Sequence, residues 1–138
     1  MMRPGRMVTG GVLAALAGLH VAWGAGSSFP ASDRTELADV VAGADEVPLA
    51  RECFVVGALL ATAALLVVDA GPWSRSIRRV GVIGASGVLA ARGVAGVSGR
   101  TSMLVPWEPS QRFVALDRRY YGPLCLALAA RSAASLRS

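Results

Sequence analysis

The chain has 138 residues, room for one domain, and 54% of them are hydrophobic while only 17% are charged. A soluble domain of this size needs far more charge to cover its surface, so the composition excludes an ordinary globular protein and points to one solvated by lipid. The net charge of +5 does not indicate nucleic acid: the basic residues, all Arg, stand in short groups between apolar runs rather than on one face with aromatics between them.

The absence of Lys reads as the coding bias of a GC-rich bacterial genome, not as a physical signal. The two cysteines form no CxxC pair, which argues against a zinc ribbon, a thioredoxin-type site or a quinone-linked thiol oxidase. One Cys53–Cys125 disulfide or two free thiols both remain open.

In chain order, the first apolar run is Met7 to Gly26, long enough to cross a hydrocarbon core of roughly 30 Å. Arg3 and Arg6 before it also suit a signal peptide. The run ends in His20 and Trp23 rather than at an A-x-A site, so a retained helix is expected. Gly10, Ala14 and Gly18 recur every fourth residue, a spacing that lets helices approach closely in lipid. Gly24 to Pro48 forms an acidic loop, in which Asp33-Arg-Thr-Glu36 resembles a capping box and starts a short amphipathic helix at the interface.

Pro48 suits the first turn of a second long helix, about 49–68, which carries Arg51, Glu52 and Cys53 at its start. Asp69-Ala-Gly-Pro72-Trp-Ser is a turn, followed by Arg75, Arg78 and Arg79. The third helix, about 77–97, has Gly81, Gly84 and Gly87 thinning one side, and Arg92 interrupts its apolar stretch. Ser98 to Gln111 is a second loop, with Trp107 as an interfacial anchor. The fourth helix, about 113–136, contains Pro123, which must bend or restart it, and Ser110 stands where a cap is needed.

These elements predict an all-α integral membrane four-helix bundle over residues 1–138. The segments placed inside hold seven arginines (Arg3, Arg6, Arg75, Arg78, Arg79, Arg131 and Arg137), those outside six, and the short basic loop at 75–79 decides the orientation. Both termini are expected on the cytoplasmic side of the plasma membrane, the inner membrane of a bacterium.

Arg92 is the most informative residue, since a charge inside a span costs at least about 3 kcal/mol unless it is paired or reaches water. It either snorkels to the outer headgroups or pairs with Glu52 or Asp117, the acids nearest its depth. His20 and Trp23 share a face one turn apart. A lone His is more often a packing residue than a ligand, and no metal or cofactor is expected. Asp117, Tyr121 and Cys125 form one stripe if the last helix is continuous. His20, Trp23, Glu52, Arg92, Asp117 and Tyr121 all fall in the outer half, which predicts a small outward-facing polar pocket.

Trp23-Gly24-Ala25-Gly26, Pro30, the Arg near the end of the third helix and Asp117-x-x-x-Tyr121-x-Pro123-Leu124-Cys125 resemble a family of small four-helix membrane proteins. That family is common in actinobacteria and is known only as a domain of unknown function. The resemblance covers nearly the whole chain; it implies four helices and a membrane location, and brings no activity.

Three functions fit such a pocket. The favoured one is non-catalytic binding of a small amphiphile or lipid group, with membrane lipids as the surrounding partner. Another is a membrane enzyme moving protons on a lipid-like substrate, by analogy of fold alone. The third is a structural subunit, for which the Gly/Ala ridges would serve a homo-oligomer.

Overall fold

The computed structural model describes residues 3–137. The described residues form helices joined by loops, with no strands, and the long helices run antiparallel. They are α1 (Pro4–Gly24), α3 (Ala50–Val68), α4 (Arg75–Val97), and a run made of α5 (Gln111–Leu116), a π-helical turn (Asp117–Tyr121) and α6 (Gly122–Ala134). A short α2 (Arg34–Ala42) lies between α1 and α3. Counting 111–134 as one helix, the described residues form five helices rather than the expected four. The addition is α2, the short amphipathic segment, which folds as a body of the bundle because it has neighbours to pack on.

Local chemistry places the helix ends. Pro4 opens α1 three residues before the expected start, where its missing N–H costs nothing. Asp33 accepts from the Glu36 N–H and starts α2, while the Glu36 carboxylate accepts from the Ser32 N–H. For α3, Glu52 reaches back to the Leu49 N–H at 3.2 Å, so the helix begins just after Pro48 rather than at it. Ser74 and Ser110 cap α4 and α5 through the N–H groups of Ile77 and Phe113, so these helices start at 75 and 111, each two residues ahead of its expected start.

The last helix stays continuous through Pro123 because of the π-helical turn. Proline lacks an N–H and clashes with the carbonyl four residues back. The Gly122 N–H bonds the Asp117 carbonyl instead, five residues earlier, and this wider turn absorbs the misfit. Asp117, Tyr121 and Cys125 all lie on this continuous run, the first two within the π-helical turn. Both cysteines are free thiols, Cys53 buried and Cys125 partly so.

α1 packs chiefly on α3, and α4 chiefly on α6. Leu13, Ala63, Ala64, Val67 and Leu128 form the central core where the pairs meet. Glycines set the close approaches, though not all the expected ones. Gly10 meets Val68, and Gly81 meets Leu66, but Gly11, Gly18, Gly84 and Gly87 face open space. Tight α4–α6 contact falls instead at Gly93 against Leu126 and at Gly96 against Gly122.

Three helices, α1, α3 and α4, are long and apolar enough to cross a membrane. Their apolar surface points mostly outward; only 17% of the apolar window of α4 is buried within the chain. Val80, Ile83, Val88 and Val94 on α4, and Phe54, Val55 and Leu59 on α3, are exposed. Such a surface is stable only in an apolar solvent.

Candidate functional site

Both described termini lie at one end of the bundle, and α2 with the 98–110 loop caps the other, the lid end. Two groups of polar side chains gather there. The first is built on α4 and the last helix. Arg92 Nη1 donates to Asp117 Oδ1 at 2.9 Å and Oδ2 at 3.1 Å. The Thr101 hydroxyl, brought in by a 3₁₀ turn (Thr101–Met103), donates to Oδ2 as well. Asp117 is fully buried, whereas the Arg92 side chain stays 30% exposed. The guanidinium sits 6.0 Å from the centroid of the Phe113 ring, within cation–π range. A charged pair in lipid is tolerable when each partner is saturated in this way.

The pair exists because two backbones come together beside it. A Cβ at Gly96 would lie 2.6 Å from Asp117 Oδ1 and 2.9 Å from Gly122 Cα. Both glycines are therefore part of the site.

Tyr121 extends the group toward the lid. Its ring is 5.9 Å from that of Phe113, and its hydroxyl donates to the Val40 carbonyl at 2.7 Å. α2 is held further by Trp107 Nε1 on the Ala42 carbonyl at 2.9 Å, by the Ser110 N–H on the Gly43 carbonyl at 3.0 Å, and by the Ser110 hydroxyl on Asp39. Gly43 has φ 63°, and a Cβ there would strike Phe113 and the Ser110 nitrogen at 2.8 Å, so this position requires glycine. Arg112 reaches Glu36 at 3.4 Å and Asp39 at 3.6 Å. The Ser32 hydroxyl and N–H, with Arg112 behind them, hold the Glu36 carboxyl below the ordinary carboxylate range. Trp107, expected as an interfacial anchor, also ties the loop to the lid.

The second group lies between α1, α2 and α3. A cleft of about 120 Å³ is lined by His20, Trp23, Glu52 and Cys53, with apolar walls from Val41, Pro48 and Val56. The His20 ring stacks at a tilt on Trp23, centroids 4.8 Å apart. Its Nδ1 lies 2.7 Å from the Leu16 carbonyl. A carbonyl only accepts, so Nδ1 carries a proton, and in the neutral ring Nε2 is then the acceptor nitrogen. Trp23 Nε1 donates to the Phe29 carbonyl at 2.6 Å, and Arg34 Nη1 holds the Trp23 carbonyl at 2.9 Å. Both fix the indole from behind.

The six residues singled out in the sequence are therefore divided. Arg92, Asp117 and Tyr121 meet in one cluster; His20, Trp23 and Glu52 line a separate cleft. Of the two acids offered to Arg92, Asp117 takes it, while Glu52 lines the separate cleft. Thr101, Phe113, Gly96 and Gly122 belong to the cluster and carried no sequence signal beyond their type. Among the described residues, no three His, Cys, Asp or Glu side chains converge as metal ligands.

A family model matches residues 13–131, from the core of α1 to the last turns of α6. The chain belongs to the family of proteins of unknown function called DUF3995. The matched span of this DUF3995 member includes all six residues, the cleft and the Arg92–Asp117 pair. Comparison with curated proteins and with solved structures gives no match.

α2 joins the two groups in this DUF3995 chain: Val40 takes the Tyr121 hydroxyl, and the next residue, Val41, walls the cleft. Tyr121→Phe removes one hydrogen bond and strands a partly buried carbonyl, a loss of about 1 kcal/mol. Hydrogen exchange across 34–42 is expected to quicken roughly fivefold. Unchanged exchange there would show that Tyr121 does not hold the lid.

Proposed function

We propose that this chain crosses the plasma membrane, a bacterial inner membrane, four times with both termini in the cytoplasm. In this reading it holds a small amphiphile, or the end group of a lipid, in the cleft at its outer end. The fourth crossing is the run from Gln111 to Ala134. It is continuous, about 36 Å long at 1.5 Å per residue, and its buried charge is neutralised by Arg92. The segments at the end bearing the termini hold seven arginines against six at the other, and the short basic loop at 75–79 lies there, as such loops do on the cytoplasmic side of membrane proteins.

The observation that carries the binding reading is the chemistry of the cleft. Apolar walls of Val41, Pro48, Val56 and the Trp23 ring surround two acceptors, His20 Nε2 and the Glu52 carboxylate. Such a lining suits an apolar group ending in a donor, a hydroxyl or an amine. At about 120 Å³ the cleft is well below the roughly 300–1,000 Å³ of sites for drug-sized molecules, so it takes a terminal group rather than a whole one. The protein acts here as a binder and not a catalyst, since Asp117 is saturated by Arg92 and Thr101. Arg92, Asp117 and Tyr121 serve the cleft from behind by fixing the lid that walls it.

Val56→Trp fills the cleft from an exposed α3 position, and His20→Phe removes its acceptor. Wild-type protein purified in maltoside is expected to carry an amphiphile identifiable by mass spectrometry of its organic extract. Either variant should carry roughly tenfold less. Equal recovery from Val56→Trp and wild type overturns the assignment.

A further inference from the structure

The end of the bundle that bears the termini holds a larger concavity, about 770 Å³. Five arginines line it from three segments: Arg6 of α1, Arg75, Arg78 and Arg79 of α4, and Arg137 after α6. One acid, Asp69, faces them, and it is already paired with Arg78 at 3.4 Å.

The arginines divide into a fixed set and an open set. Arg78 is largely buried; it donates to the Leu66 carbonyl at 2.8 Å and to those of Val67 and Ser135 at 3.4 and 3.3 Å. Arg6 donates to the Ser135 carbonyl at 2.7 Å. These two tie the ends of α1, α3, α4 and α6 into a rigid floor. Arg75, Arg79 and Arg137 are exposed, and among the described residues no acid pairs with them. The first turn of α4, a helix of 23 residues, adds the positive end of its dipole. Ile83, Leu136 and the Trp73 ring supply apolar wall beside the charges.

Flanking arginines that only set orientation would spread singly into the headgroup layer. Here they converge on one cavity that keeps an uncompensated positive charge, and guanidinium groups favour phosphate by bidentate contact. We propose that this concavity binds a phosphate-bearing anion, either the headgroup of an anionic phospholipid or a free phosphate. The inference is independent of the outer cleft, which lies at the opposite end.

The test uses the full chain in maltoside micelles, with melting followed on adding phosphatidylglycerol, phosphatidylcholine or inorganic phosphate at constant ionic strength. Native mass spectrometry reads retained lipid in parallel. Phosphatidylglycerol is expected to raise the melting temperature, and phosphatidylcholine is not. The triple variant Arg75→Gln, Arg79→Gln, Arg137→Gln should weaken the apparent affinity by roughly tenfold or more. Removing the same charge at the other end, with Arg51, Arg100 and Arg118 changed to Gln, should leave it unchanged. A shift with phosphatidylglycerol alone assigns the site to lipid. A matching shift with inorganic phosphate, with or without lipid, assigns it to the phosphate group itself. Equal effects of both lipids, no shift with any probe, or equal losses in the two triple variants overturn the proposal. Should the terminal-end triple variant not fold, Arg79→Gln alone is expected to lower affinity by roughly threefold, and no change in it overturns the proposal equally.

Discussion

Replacing Arg92 by Leu is expected to destabilise the protein by about 3–5 kcal/mol, the usual cost of leaving one partner of a buried ion pair uncompensated. The carboxylate of Asp117 is fully buried and would keep only the Thr101 hydroxyl. The converse change should cost less. In Asp117→Leu the freed guanidinium, already 30% exposed, has a flexible stem and a route to water or headgroups; a loss of about 1–2 kcal/mol is expected there. The double variant Arg92→Leu, Asp117→Leu should fall well short of the sum, with a coupling energy near 2 kcal/mol. Denaturant unfolding in micelles reads all three. Additive losses, or equal ones for the two single variants, would mean that the pair does not act as a unit.

Gly96→Ala and Gly84→Ala are the same substitution in the same helix, and they are expected to differ in sign. At Gly96 the new Cβ would meet Asp117 Oδ1 at 2.6 Å, Gly122 Cα at 2.9 Å and Arg92 Nη1 at 3.1 Å. Backbone and a saturated ion pair cannot yield cheaply, so a loss of about 1–3 kcal/mol follows from overpacking. At Gly84 nothing lies within 4 Å, and the better helix propensity of alanine gives up to about 1 kcal/mol of added stability. Melting temperatures of the two variants in one detergent decide it. A destabilised Gly84→Ala would place a partner on that open face, as an oligomer would.

The contrast between these glycines also marks where sequence reading succeeds. Gly81, Gly84 and Gly87 stand at helical spacing and look like one packing ridge, yet only Gly81 touches a neighbour. Spacing tells which residues share a face, but not which face another helix covers. Gly96 meets Gly122 directly after the π-helical turn at 117–121, and Gly93 meets Leu126 one turn further on; that π-helical turn follows from Pro123 only once the helix must remain continuous. Helix caps were legible at Asp33 and Ser110, where a side chain acts on backbone three residues away. α2 was legible as a helix, but not as a lid, because Trp107, Ser110 and Tyr121 reach it from 65 to 81 residues away.

The amino-acid sequence by itself determined the helical class, the apolar spans of α1, α3 and α4, and the anomaly of a charge at Arg92. Each of these depends on composition and period alone, since a lipid-facing surface leaves its mark on every residue along the helix. Only the tertiary structure decided that Arg92 pairs with Asp117 rather than Glu52, and that the polar residues at the lid end form a closed cluster and a separate cleft. It also decided that five arginines face one cavity. Those outcomes depend on which turns bring distant backbones within about 3 Å, and a linear pattern does not encode that distance.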